Sequence, residues 1–154
     1  MKKTVLLSFL ILIASTTFAQ DSLNMSVLYN WKEPGISPSS LYNNAYNEVW
    51  GYEQNGREYA IIGSSRGTHF FDITNPSSPV MVDFVMGRDT GRNIVHRDYH
   101  DYEGYLYAVA DEGVSSLQIM DYSGLPNTVN VVYDSDALIR RSHNIFIDTT
   151  AAKL

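Results

Sequence analysis

The sequence contains no cysteine among its 154 residues. This absence excludes a disulfide framework, which is common in small exported domains, and it also excludes a lipid anchor attached through cysteine. A folded domain built from this chain must therefore be held together by its apolar core alone.

The fingerprints of several common catalytic and ligand sites are also missing. The chain contains no P-loop, no dinucleotide-binding glycine pattern, no G-x-S-x-G nucleophile elbow and no spaced D-x-D-x-D-G calcium loop. The glycine-flanked segment 63–67 joins two apolar runs that are typical of strands and opens no helix. We therefore predict a hairpin turn there, and not a cradle for phosphate.

Basic residues are few. Eleven lysines and arginines stand against 17 aspartates and glutamates, so the formal net charge is −6. An excess of negative charge argues against nucleic acid and anionic membrane surfaces as partners. It fits an extracellular protein, or a protein that uses carboxylates to hold cations.

Long apolar runs are absent except at the N-terminus. Lys2 and Lys3 precede the run VLLSFLILIASTTF at 5–18, and the small residues Thr17 and Ala19 precede Gln20. This pattern predicts a cleaved signal peptide over residues 1–19, because the run is shorter than the roughly 20 residues of a membrane-spanning helix. We therefore expect a secreted or cell-surface protein of about 135 mature residues with no membrane span.

The part of the chain after the signal is rich in tyrosine and contains an internal repeat. The run that begins at Tyr59 resembles the run that begins at Tyr107, 48 residues later, and each ends in a polar turn with glycine. A following strand-like run reaches Asp72 in one unit and Asp121 in the other, at an offset of 49 residues. A turn with proline and a further apolar run follow in each unit, and another strand-like run precedes each unit, at 49–52 and 98–102. Each unit is therefore predicted to contain four short strands.

Four strands in a repeat of this length are typical of a β-propeller blade, and the alternative is an all-β sandwich. We predict blades at about 48–95 and 96–140, with a third that begins at 141 and has its first strand at 143–148. Residues 20–47 would supply an outer strand, at 24–30, and a linker. Since two and a half blades do not close a ring, we expect the sequence to be the N-terminal part of a longer protein.

The repeat resembles the LVIVD-type propeller repeat, and more closely that of the choice-of-anchor B family of secreted bacterial proteins. The resemblance lies in segments 48–52, 56–63, 71–80, 96–100, 117–121, 125–126 and 142–148. It implies a surface or secreted propeller whose C-terminal anchoring segment varies among members. The family has no agreed enzymatic activity, so the resemblance implies no catalytic residues.

A cluster of ionisable residues at 96–103 is the best candidate for a metal site. His96, Asp98 and His100 alternate along the chain, so in a strand they point to one face. Two imidazoles and a carboxylate suit Zn²⁺ or another divalent ion. The alternative is a polar network at the end of a strand. No cofactor other than a divalent metal ion is predicted.

The repeat also predicts a ring of polar side chains. Aligning the first strands on Tyr52 and Tyr102 places Glu48 opposite Asp98, and His143 takes a similar place in the third unit. The first strand of each propeller blade is innermost, so these three side chains are expected to line a central channel and bind a cation or small ligand. The alternative is a channel that holds only ordered water.

The leading functional hypothesis is a non-catalytic binding or scaffold module whose partner is an extracellular protein or glycan. Tyrosine and tryptophan side chains suit such a surface, although packing between sheets is the favoured explanation for them. The alternative function is a metal-dependent hydrolase or lyase that uses the region of His96, Asp98 and His100. A third possibility is a structural fragment with no activity of its own.

Overall fold

A computed structural model describes residues 25–154, which form eight β-strands in two sheets. The predicted signal peptide and its cleavage site lie outside the described residues. The strands are β1 (Tyr46–Gln54), β2 (Arg57–Ser64), β3 (Gly67–Asp72), β4 (Val80–Met86), β5 (Arg97–Tyr102), β6 (Tyr105–Ala110), β7 (Leu117–Asp121) and β8 (Asn130–Ser135). Residues 25–154 contain no helix, and therefore none long and apolar enough to cross a membrane. The prediction of an all-β chain is confirmed.

Each sheet is an antiparallel meander whose strands follow the order of the chain, β1-β2-β3-β4 and β5-β6-β7-β8. Two-residue turns start both meanders: Asn55-Gly56 after β1 and Glu103-Gly104 after β5, all four residues with φ between 47° and 84°. Left-handed φ at both positions is the turn geometry that matches the twist of paired strands, and Asn-Gly favours it most. The local sequence thus accounts for the first hairpin of each sheet.

The two sheets share details beyond their strand count. The pairings of β3 with β4 and of β7 with β8 each have an irregularity one residue before the strand's final aspartate. Asp72 then accepts a hydrogen bond from the amide of Thr74 at 3.0 Å, and Asp121 accepts one from the amide of Ser123 at 2.9 Å. These aspartates cap equivalent turns, as short polar side chains commonly do.

The register differs from the sequence alignment of the second strands. Tyr59 pairs with Asp72, and it is Tyr105 that pairs with Asp121. The structural counterpart of Tyr59 is therefore Tyr105, two residues before Tyr107. A slip of two residues keeps every side chain on its own face, so the alternating pattern alone cannot detect it.

The main apolar core lies between the two sheets. Its buried members are Tyr59, Ile61, Phe70 and Val85 of the first sheet and Tyr99, Leu106, Ala108, Met120, Tyr122, Leu125 and Val129 of the second sheet and its loops. The side-chain amide of Asn47 in β1 donates to the backbone carbonyl of Arg97 in β5 at 3.1 Å. At the far side, the side-chain amide of Gln118 in β7 donates to the backbone carbonyl of Met86 in β4 at 3.1 Å. The sheets therefore stack with β1 beside β5 and β4 beside β7.

Two predicted strands do not form. Residues 25–45 contain no strand, although an outer strand was expected at 24–30. The segment instead lies against the first sheet, where the Trp31 ring packs on Phe71 with centroids 4.8 Å apart. Residues 143–147 also form no strand, but Asp148 and Lys153 make an isolated antiparallel bridge around a turn.

Candidate functional site

Four ionisable side chains gather at one end of the β5–β6 hairpin, and we call them the polar cluster: His96, Asp111, Glu112 and His143. His96 immediately precedes β5 and Asp111 immediately follows β6. Since Arg97 pairs with Ala110 in this antiparallel hairpin, the residues just outside that pair are brought face to face. His143 arrives from the loop after β8, which is attached by a hydrogen bond from the Ser142 amide to the Ala110 carbonyl at 3.2 Å.

Asp111 is the centre of the polar cluster, because its two oxygens approach different imidazoles. Oδ2 lies 2.5 Å from Nδ1 of His143, and Oδ1 lies 3.5 Å from Nδ1 of His96. The ring centroids of the two histidines are 5.3 Å apart. One potential ligand atom from each of these three residues lies within 4.8 Å of the other two.

Glu112 and Tyr42 hold the His96 ring from two sides. One carboxylate oxygen of Glu112 contacts Nδ1 of His96, and the other accepts the His96 backbone amide at 3.1 Å. The Tyr42 ring packs edge-on against the imidazole with centroids 4.6 Å apart. The orientation of His96 is therefore fixed by neighbours, whereas the His143 side chain is 63% exposed.

Hydrogen bonding dominates the electrostatics of the exposed part of the polar cluster. The hydrogen bond to Asp111 raises the pKa of His143, and the charge on Asp111 acts in the same direction. Burial acts to raise the pKa of Asp111, but the hydrogen bond from His143 and the other neighbouring groups hold it below its ordinary value. These directions describe a carboxylate that favours a positive charge beside it.

Asp98 lies close to the polar cluster and anchors the same loop. Its Oδ2 accepts the backbone amide of Ile145 at 2.6 Å. The 143–148 segment is thus attached at Asp98 through the backbone of Ile145 and at Asp111 through the side chain of His143.

Glu48, the remaining member of the predicted channel ring, is a bulged residue. The register of β1 with β2 skips Glu48, whose φ is 62°. Counting pairs back from Tyr52 and Tyr102 therefore places Asn47, and not Glu48, at the position of Asp98. Convergence of Glu48, Asp98 and His143 on a common channel stays a prediction.

His100 occupies different surroundings from His96. Its ring packs against Trp50 and Phe146, with centroids 5.2 and 5.6 Å away, and its Nδ1 lies 3.0 Å from the Asp101 carbonyl. Residues four apart in a strand are separated by about 13 Å, which is too far for both to reach one ion directly. The structure therefore groups His96 with Asp111 and His143, whereas His100 lies apart from them.

Sequence reasoning missed Asp111 and Glu112 as partners of His96. The signal that could have revealed them is the hairpin itself. Residues that are equally far from the two-residue turn at Glu103-Gly104 lie opposite each other in the two strands. Counting outward from that turn pairs residue 96 with residue 111. Alternation along a single strand relates only the residues of that strand, so it does not reveal a pairing across the hairpin.

A concave surface lies on the face of the first sheet that points away from the shared apolar core. It is an apolar groove of about 470 Å³ between the N-terminal segment and strands β2 and β3, and its lining includes Leu28, Trp31, Ile62, Phe71 and Pro79. We call it the apolar groove. It contains no member of the polar cluster.

Comparison of the chain with models of protein families, with curated proteins and with solved structures gives no match.

Proposed function

We propose that the chain is part of a secreted or cell-surface β-propeller of the LVIVD or choice-of-anchor B type, and that it acts as a non-catalytic binding or scaffold module. The observation that carries the proposal is the stacking of two four-stranded meanders with their first strands, β1 and β5, adjacent. Propeller blades are arranged in this way around an axis, with their first strands innermost. In a sandwich, by contrast, nothing requires consecutive sheets to repeat their turns, irregularities and capping aspartates.

The polar cluster and Tyr42 supply a surface suited to recognition. Tyr42 is 47% exposed, and its ring packs on the imidazole of His96, which in turn lies beside the carboxylates of Glu112 and Asp111. An aromatic face next to polar groups is a common arrangement for binding sugars or polar protein surfaces. The proposed partner is an extracellular glycan or protein that contacts this surface.

Export is tested by N-terminal sequencing of the protein recovered outside the cytoplasm. We expect the mature chain to begin at Gln20 or within two residues of it, because Thr17 and Ala19 place small residues at the cleavage site. Substituting Ala19→Arg should block processing and retain the precursor. Recovery of an extracellular chain that still begins at Met1 would contradict the proposal of a cleaved signal.

Binding is tested by screening the exported protein on a glycan array and on an array of extracellular proteins. We expect a partner whose signal falls in the Tyr42→Ala variant and is retained in Tyr105→Ala, which removes an exposed tyrosine from a different part of the surface. Absence of any partner on both arrays would overturn the proposal.

The same preparation distinguishes a binding module from the alternative enzyme. Bound glycans or peptides are incubated with the protein in the presence of zinc, and their products are analysed by mass spectrometry. Intact ligand supports the non-catalytic proposal. Cleavage that disappears in His96→Ala would replace it with a metal-dependent hydrolase or lyase.

A further inference from the structure

The polar cluster contains the donor atoms of a transition-metal site that differs from the set predicted from one strand. We infer that His96, Asp111 and His143 together bind one divalent transition-metal ion of the zinc class. This site goes beyond the proposed function and does not depend on how many blades the protein has or on its extracellular partner.

The three residues need only a small rearrangement to surround an ion. Zinc binds nitrogen and oxygen at about 2.0–2.2 Å, so ligand atoms in a tetrahedral site lie about 3.3 Å apart. The candidate atoms already lie within 4.8 Å of one another. His143 is on a loop and largely exposed, so a rotation of its side chain closes most of the remaining distance.

An unpaired carboxylate oxygen points to the same position. Oδ1 of Asp111 is buried and has no hydrogen-bond partner among residues 25–154. Nδ1 of His96 lies 3.5 Å from it. Burying a carboxylate oxygen without a partner costs the free energy of its lost hydration. Coordination of an ion held between Asp111 and the two histidines would compensate for this cost.

Glu112 completes the arrangement as a positioning residue. One of its oxygens accepts the His96 backbone amide at 3.1 Å, which holds His96 at the end of the hairpin. Its other oxygen contacts Nδ1 of His96, the same nitrogen that lies 3.5 Å from Oδ1 of Asp111. An ion between His96 and Asp111 would take the place of the proton in this contact, and Glu112 would keep the His96 backbone in position.

The donor set selects the class of metal. Ca²⁺ takes six to eight oxygen ligands, and Mg²⁺ prefers octahedral oxygen with several waters. Two imidazole nitrogens and one carboxylate oxygen suit Zn²⁺ and its neighbours, with water in the fourth position. A bound ion would also tie the 141–146 loop to the end of the β5–β6 hairpin.

The test uses the full chain, purified without a polyhistidine tag and treated with a chelator. Titration with Zn²⁺ by calorimetry should show one ion per chain, and Ca²⁺ at the same concentrations should show none. Co²⁺ should give the visible absorption of a tetrahedral nitrogen and oxygen site. Zn²⁺ should also raise the melting temperature of the wild-type chain.

Single substitutions distinguish a specific metal site from nonspecific binding of Zn²⁺ to histidine side chains. Asp111→Asn and His143→Ala should each weaken Zn²⁺ binding by at least about tenfold and abolish the thermal shift. His100→Gln removes a histidine outside the polar cluster, and it should leave the Zn²⁺ affinity and the thermal shift unchanged. The inference is overturned if Zn²⁺ fails to bind stoichiometrically, or if His143→Ala binds it like the wild type. A loss in His100→Gln equal to that in His143→Ala would assign the ion elsewhere.

Discussion

His69 is a buried imidazole whose environment opposes its protonation. The residue is 1% exposed, and its Nε2 lies 2.8 Å from the hydroxyl of Ser64. Burial lowers the pKa of His69 to about 4, with smaller contributions from the charges of Arg66 and Arg97. Glu33, whose nearer oxygen is 3.5 Å from Nε2, is engaged by the guanidinium of Arg66.

This environment predicts that the folded state loses stability in acid. In the unfolded chain His69 takes up a proton below about pH 6.5, whereas in the folded chain it does so only near pH 4. Between these values only the unfolded state gains the proton, so the free energy of unfolding falls as the pH falls. Relative to pH 7.5, the loss from this residue at pH 4.5 is about 2–3 kcal/mol.

Urea unfolding of the wild type and of His69→Gln at both pH values measures this effect. Other titrating groups contribute to both proteins, so the difference between the two pH dependences isolates the imidazole. The variant should lose less stability on acidification, although it is less stable than the wild type at pH 7.5. Equal losses in the two proteins would mean that His69 is not held neutral.

Two glycines on neighbouring strands are expected to respond in opposite directions to the same substitution. A Cβ at Gly63 in β2 would lie 2.4 Å from the backbone oxygen of Asn47, so Gly63→Ala must displace backbone. A Cβ at Gly51 in β1 would meet no atom within 4 Å. We expect Gly63→Ala to lower the free energy of unfolding by about 1–3 kcal/mol. Gly51→Ala should raise it by up to about 1 kcal/mol, because alanine loses less backbone entropy than glycine.

Comparing these two variants controls for strand propensity, since both substitutions replace glycine with alanine in the same β1–β2 hairpin. Chemical denaturation measures the effect. The denaturation midpoints of the two variants are compared, on condition that the free energy of unfolding falls with denaturant concentration at the same slope in both. A Gly63→Ala variant as stable as Gly51→Ala would show that β1 and β2 do not approach as closely as the register implies.

At the level of elements, the sequence predicts what short-range chemistry determines. Alternating apolar residues, the Asn55-Gly56 turn and the capping aspartates account for strands and meanders. The two-residue shift of Tyr105 leaves the alternation of faces unchanged, so the pattern does not detect it. The bulge at Glu48 inserts one residue among the polar residues near the start of β1, where no apolar alternation marks it. The pairing of His96 with Asp111 depends on the register of a hairpin, which becomes visible only when the strands are counted from their turn.

At the level of the whole molecule, the sheets differ in what covers their faces. The faces that meet are filled by the shared core, whereas the outer face of the first sheet carries the apolar groove under the N-terminal segment. The sequence predicts a repeated sheet, but not which residues close its ends. Covering a face depends on contacts between segments far apart in the chain, and the short apolar run at 27–29 has no pattern that marks it for this role.

The shared core predicts that the two sheets unfold as one unit. Leu106 in β6 is fully buried and packs in the cluster that contains side chains of both sheets. Leu106→Ala removes apolar contacts from both, and truncation of a buried leucine typically costs about 2–5 kcal/mol. Hydrogen exchange should therefore show amides of β2 and β6 losing protection by the same free energy. Leu138→Ala, at a site that is 75% exposed, is the matched control and should change neither. If β6 alone lost protection while β2 kept it, the sheets would be separate folding units, and their stacking would not contribute to the stability of either.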